Sequence, residues 1–152
     1  MQDTILLVED NADDEALALR AFRNSGVNAH IDVVRDGAEE LDYLLGAGAY
    51  MGRDVSEQPR LILLDMKLPK LNGLDVLRRI RQDSRTRFSP VVLMTSSRQE
   101  ADMVAGYSLG ANSYIQKPVN YDEFTALIYD LGRYWLQINR TPKFQLSSGV
   151  DV

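Results

Sequence analysis

The chain contains no cysteine and a single histidine, His30. Disulfide frameworks, Cys-ligated zinc, iron–sulfur clusters and thiol nucleophiles are therefore excluded. One imidazole speaks against a multi-His metal site or a catalytic histidine. Basic charge is also scarce, with 17 Lys and Arg against 22 Asp and Glu and a net charge of −5. A bare nucleic-acid-binding face would need a basic stripe, so no nucleic-acid partner is expected. Long apolar runs are missing, and none approaches the ~20 residues needed to span a bilayer. The start, Met1-Gln2-Asp3-Thr4, lacks the basic and then apolar stretch of a signal peptide. There is no Gly-rich loop ending in Lys-Ser/Thr, which excludes a P-loop nucleotidase. What remains is the composition of a small acidic domain, expected in the cytoplasm and away from membranes. Its 152 residues, 45% apolar and 26% charged, are enough to bury a sizeable core.

Three unbroken apolar runs stand out: Ile5-Leu6-Leu7-Val8, Leu61-Ile62-Leu63-Leu64 and Val91-Val92-Leu93-Met94. Short runs without alternation fit strands covered on both faces. Ile31-Asp32-Val33-Val34 and Ser113-Tyr114-Ile115-Gln116 are mixed in polarity and fit edge strands. Helical patterns lie between them. They cover residues 11–25, 37–45 behind a capping Asp36, and 73–82 with Leu74, Leu77 and Ile80 in phase. Ser97-Arg98-Gln99-Glu100 reads as a capping box opening a helix to Leu109, stopped by Gly110. Asn120-Tyr121-Asp122-Glu123 opens the last helix, with Phe124, Leu127, Ile128, Leu131 and Trp135 on one face. Strand and helix thus alternate five times. This predicts an α/β, flavodoxin-like (βα)5 fold, an open parallel five-stranded sheet in the order 2-1-3-4-5 with helices on both faces. The domain is expected over residues 1–138, followed by a polar, mobile tail at 139–152. Residues 46–59 form an unusually long connection.

Open α/β sheets build their sites beyond the carboxyl ends of the strands. Those ends carry Glu9-Asp10, Asp65, Thr95-Ser96 and Lys117-Pro118. Three carboxylates brought together repel one another unless a cation joins them. A hard oxygen donor set of this kind suits Mg²⁺, with Mn²⁺ as a substitute. Lys117 adds a second positive charge. Two cations facing a carboxylate and a hydroxyl make a site for a phosphoryl group.

With these residues the sequence resembles the receiver domain of two-component response regulators. The resemblance rests on Val8-Glu9-Asp10-Asn11, Asp65-Met66-Lys67-Leu68-Pro69 with Gly73 eight residues after Asp65, Thr95-Ser96, and Lys117-Pro118. The spacings of 30 from Asp65 to Thr95 and 22 from Thr95 to Lys117 agree with it. It implies that Asp65 is the phosphoacceptor, its carboxylate attacking the phosphorus of a phosphohistidine on a sensor histidine kinase. It implies that Asp10, Asp65 and the main-chain carbonyl of Lys67 hold Mg²⁺, with Glu9 acting through a metal-bound water. Thr95, Ser96 and Lys117 would bind the phosphoryl group. Thr95 and Tyr114 would form the switch, and Pro118 would follow a cis peptide bond. Lys67 and Ser97 occupy positions that tune the lifetime of the phosphate. The long second connection and the aromatic end of the last helix are similar to the single-domain regulators that serve phytochrome-type kinases. That likeness implies a homodimer, with Phe124, Ile128, Tyr134 and Trp135 as its surface.

Other functions stay in view. The phosphate on Asp65 could be relayed to a phosphotransfer protein, or the chain could be a phosphorylation-independent adaptor. An enzyme of the haloacid-dehalogenase type would want a second Asp where Lys67 stands. His30, the Arg78-Arg79-Ile80-Arg81 cluster with Arg85 and Arg87, and Asp13-Asp14-Glu15 read as surface and helix-dipole features.

Overall fold

The computed structural model describes residues 3–66, 68 and 72–142. Five strands and five helices alternate along it: β1 (Thr4–Val8), α1 (Ala12–Ser25), β2 (His30–Val34), α2 (Gly37–Leu45), β3 (Leu61–Leu64), α3 (Gly73–Gln82), β4 (Val91–Thr95), α4 (Glu100–Ser108), β5 (Ser113–Gln116) and α5 (Tyr121–Gly132). The strands pair in parallel in the order β2-β1-β3-β4-β5, as expected.

The three apolar runs are the three inner strands because each has to satisfy two cores. Leu6, Val8, Ile62 and Leu64 face Leu41 and Leu44 of α2 and Val76, Leu77 and Ile80 of α3. Ile5, Leu7, Leu61 and Leu63 face Ala18, Ala21 and Phe22 of α1 and Phe124, Ile128 and Leu131 of α5. Successive side chains leave a strand on opposite faces, so no polar residue is tolerated in these runs.

This packing corrects part of the expected dimer surface. Phe124 and Ile128 are buried, at 7% and 1% exposure. Their four-residue spacing sets them on one face of α5, and that face meets the sheet. Tyr134 is exposed, and Trp135 is half-buried against the α1/α5 core. Beyond α5 the chain runs on through a π-helical turn, Arg133–Ile138. Arg60 donates to the carbonyl of Leu136 at 3.1 Å and so takes up one of the carbonyls this turn leaves open. Residues 143–152 of the expected tail lie outside the described residues.

Helix starts follow the sequence at Asn11, Asp36, Asn72 and Asn120, whose side chains accept from main-chain N–H groups of the first turn. The expected capping box before α4 does not form. Gln99 takes the cap position without a side-chain bond, and Ser97 instead donates to Asp102 at 2.6 Å. Gly110, with φ +99°, ends that region in the left-handed conformation that a side chain would strain.

The long connection at 46–59 is tied down rather than loose. The Arg53 guanidinium donates to the carbonyls of Tyr43, Leu44 and Glu57 and lies 4.3 Å over the Tyr43 ring. One side chain thereby satisfies the carbonyls at the end of α2 and anchors the loop to it.

Candidate functional site

Each residue at the carboxyl edge is placed by the strand that ends there. The N–H of Glu9 donates to Val34 at 3.0 Å, extending the β1–β2 ladder one step and pointing the acid inward. Glu9 is 5% exposed, whereas the next residue, Asp10, is exposed at the rim. Asp65 follows β3. Thr95 ends β4, is 1% exposed, and its carbonyl accepts from the Lys117 N–H at 2.8 Å. That bond fixes the β5 end beside β4 and brings the lysine over the edge.

The Lys117 ammonium then joins the acids. Its Nζ lies 3.2 Å from Glu9 Oε1 and 3.8 Å from Asp65 Oδ2. Glu9 Oε2 also accepts from the Asn11 N–H at 3.3 Å. Burial raises the Glu9 carboxyl above its ordinary value, against the pull of Lys117 and Asn11. Burial alone would lower the Lys117 ammonium, but Glu9 and Asp65 outweigh it and the net direction is up. The two directions have different causes: burial prevails at Glu9, and the neighbouring carboxylates prevail at Lys117.

The expected trio of Glu9, Asp10 and Asp65 is not closed around a cation. Among the described residues, no three Asp, Glu or His side chains form such a group; Lys117 bridges the inner two instead. Lys67, assigned by resemblance to the metal and to phosphate lifetime, lies outside the described residues. The expected cis bond before Pro118 is corrected, since among the described residues no peptide bond is cis. The Thr95–Lys117 main-chain bond aims the lysine without it, and the trans form is the intrinsic preference even before proline.

The switch residues sit beside this edge. Thr95 Oγ1 accepts from the Ser97 N–H at 3.3 Å. The half-buried Tyr114 donates its hydroxyl to the Ser97 carbonyl at 3.2 Å. Thr95 and Tyr114 are thus linked through one residue of the β4–α4 loop. Ser96 is exposed beside them.

Gly73, already part of the motif, proves to be packed against the phosphoacceptor segment, where a Cβ would stand 2.5 Å from the Asp65 carbonyl oxygen. Its N–H closes that loop onto the Met66 carbonyl at 2.9 Å. Asp14 lines the same crevice as Glu9, Asp65, Lys117 and Pro118. Its place one helical turn after Glu9-Asp10 was the available signal.

Comparison with known proteins gives the family of the chain. The family model for the response regulator receiver domain matches residues 5–129. The probable methanogenesis regulatory protein FilR2 of Methanothrix harundinacea is 41% identical over 139 residues, 91% of this chain and 86% of FilR2. Response regulator Rcp1 of Synechocystis is 34% identical over 138 residues, covering 91% of this chain and 92% of Rcp1. The structure of Rcp1 in its Mn²⁺-bound form superposes with a TM-score of 0.81 over 92% of this chain and 99% of that one, at 33% identity. The phosphorylated cyanobacterial phytochrome response regulator RcpA gives a TM-score of 0.85 at 36% identity, over 94% of this chain and all of RcpA.

Proposed function

The chain belongs to the response regulator receiver family, and from that premise we propose that it is a phosphoacceptor switch working through protein contacts. The observation that carries the proposal is the Lys117 ammonium, set between the Glu9 and Asp65 carboxylates at 3.2 and 3.8 Å beside the buried Thr95.

In this reading an Asp65 carboxylate oxygen attacks the phosphorus of a kinase phosphohistidine. The O–P bond forms as the N–P bond breaks, and its electron pair leaves with the imidazole. The donor set fits a divalent cation, because its oxygens are hard and two of its acids, Glu9 and Asp65, converge on one point beside the exposed Asp10. Glu9, Asp10 and Asp65 would hold Mg²⁺, or Mn²⁺ as in the Rcp1 structure. The ion supplies positive charge that offsets the charge of the transferring group. Lys117 pairs with a phosphoryl oxygen, and the Thr95 hydroxyl turns to donate to another, carrying its oxygen away from the Ser97 N–H that it now accepts from. That exchange loosens the Ser97 segment to which Tyr114 is bonded, so phosphate and output face are coupled through one loop. The likeness to RcpA and Rcp1 favours a phytochrome-type histidine kinase in the cytoplasm as donor. Tyr134 remains as a surface for self-association.

The test is incubation with Mg²⁺ and acetyl phosphate, followed by intact mass. A gain of one phosphoryl group that chelator abolishes supports the reading. No gain with any small phosphodonor overturns it.

A further inference from the structure

The first turn of α1 carries Asp13, Asp14 and Glu15. An acid anywhere in that turn favours the helix dipole, so the dipole explains all three alike. Their surroundings differ. Glu15 is taken by Arg35 at 3.1 Å. Asp13 and Asp14 are both exposed, but Asp13 does not line the crevice. Asp14 does line it, together with Glu9, Asp65, Lys117 and Pro118, and with Leu17 one turn further along α1. The Asn11 side chain fixes this turn, accepting from the Asp13 and Asp14 N–H groups at 2.9 and 3.0 Å.

We propose that Asp14 is a positioning residue of the phosphoacceptor site, keeping the Lys117 ammonium at the crevice when a divalent cation draws on Glu9. This inference rests on the phosphoacceptor reading above. Lys117 is at present held by Glu9 at 3.2 Å. A divalent cation neutralises that carboxylate and repels the ammonium, which lies on a long, flexible stem. The lysine must nevertheless stay near Asp65 to meet the phosphoryl oxygen. Asp14 stands outside the proposed cation ligands and faces the same crevice, so its charge persists when that of Glu9 is spent.

The experiment compares wild type, Asp14→Asn, Asp14→Glu and Asp13→Asn in the full chain. Phosphorylation by acetyl phosphate is followed by intact mass across a Mg²⁺ series. Asp14→Asn is expected to lower the rate at saturating Mg²⁺ about 2- to 5-fold, the scale of losing one solvent-exposed charge interaction. Its half-saturating Mg²⁺ should stay within about twofold of that of Asp13→Asn, and Asp14→Glu should recover the rate. A loss of Mg²⁺ affinity with an unchanged saturating rate overturns the inference and leaves a general field effect. So does a rate equal to that of Asp13→Asn. A wild type that takes no phosphate defeats the underlying reading instead, and a denaturation midpoint for each variant separates misfolding from both.

Discussion

Lys117 and Glu9 form an ion pair in which the acid side chain is 6% exposed and the base 26%. Such a pair gains little over an apolar replacement, but breaking it strands a charge in the interior. Lys117→Met is therefore expected to cost about 1–3 kcal/mol in urea unfolding, discounted because the lysine is partly solvated. Adding Glu9→Gln should return part of that loss. A single variant as stable as wild type would contradict the pairing.

Gly73→Ala tests how tightly the phosphoacceptor segment is packed. The new methyl would meet main-chain atoms, the Asp65 carbonyl oxygen at 2.5 Å and Met66 Cα at 2.8 Å, neither of which can swing away. Overpacking of this kind costs about 1–3 kcal/mol. Because the displaced atoms belong to Asp65 itself, phosphorylation by acetyl phosphate should slow as well. A stable variant with wild-type kinetics would show that the α3 start gives way freely.

Arg53 is expected to hold the long connection. Arg53→Met removes donors to the carbonyls of Tyr43, Leu44 and Glu57 while keeping much of the side-chain bulk. The loss should be about 1–2 kcal/mol. Hydrogen exchange should quicken over residues 46–59 and leave the sheet unchanged. Uniform quickening across the sheet would argue against a local clamp.

Much of this architecture was legible in the sequence because two-sided burial leaves a direct mark. A strand that must be apolar on both faces has no polar residue to hide, so Leu61-Ile62-Leu63-Leu64 could be placed at once. The edge residues were legible for the same reason, as polar side chains following such runs. What was missed depended on a competing local option. Ser97 had the spacing of a cap, yet Asp102 offered its hydroxyl a carboxylate at 2.6 Å. Phe124 and Ile128 could not be assigned to core or interface from periodicity, since both uses demand one apolar face. Asp14 looked like its neighbours until the crevice set it apart. Glu40 gave no sign at all, being one polar residue in a helix of ordinary pattern.

That glutamate yields a pH prediction. Glu40 is fully buried in α2, neither carboxyl oxygen has a hydrogen-bond partner among the described residues, and burial pushes its pKa up to about 8. The unfolded chain releases this proton near pH ~4.3. Between there and about pH 8 the folded protein holds a proton that the unfolded one has lost. Stability therefore falls as pH rises through that window and levels off above it. Glu40→Leu should remove this part of the slope and be the more stable protein at pH 8. Parallel urea midpoints for variant and wild type from pH 5 to 9 would contradict the assignment.

Asp65 is the residue expected to take the phosphoryl group. The most direct measurement is site mapping by tandem mass spectrometry, after acetyl phosphate and Mg²⁺, with the acyl phosphate trapped by borohydride reduction. The expected result is modification of Asp65 alone, absent in Asp65→Asn and in chelator. Modification at Asp10 or Glu9 with Asp65 untouched, or none in a folded protein, would contradict it.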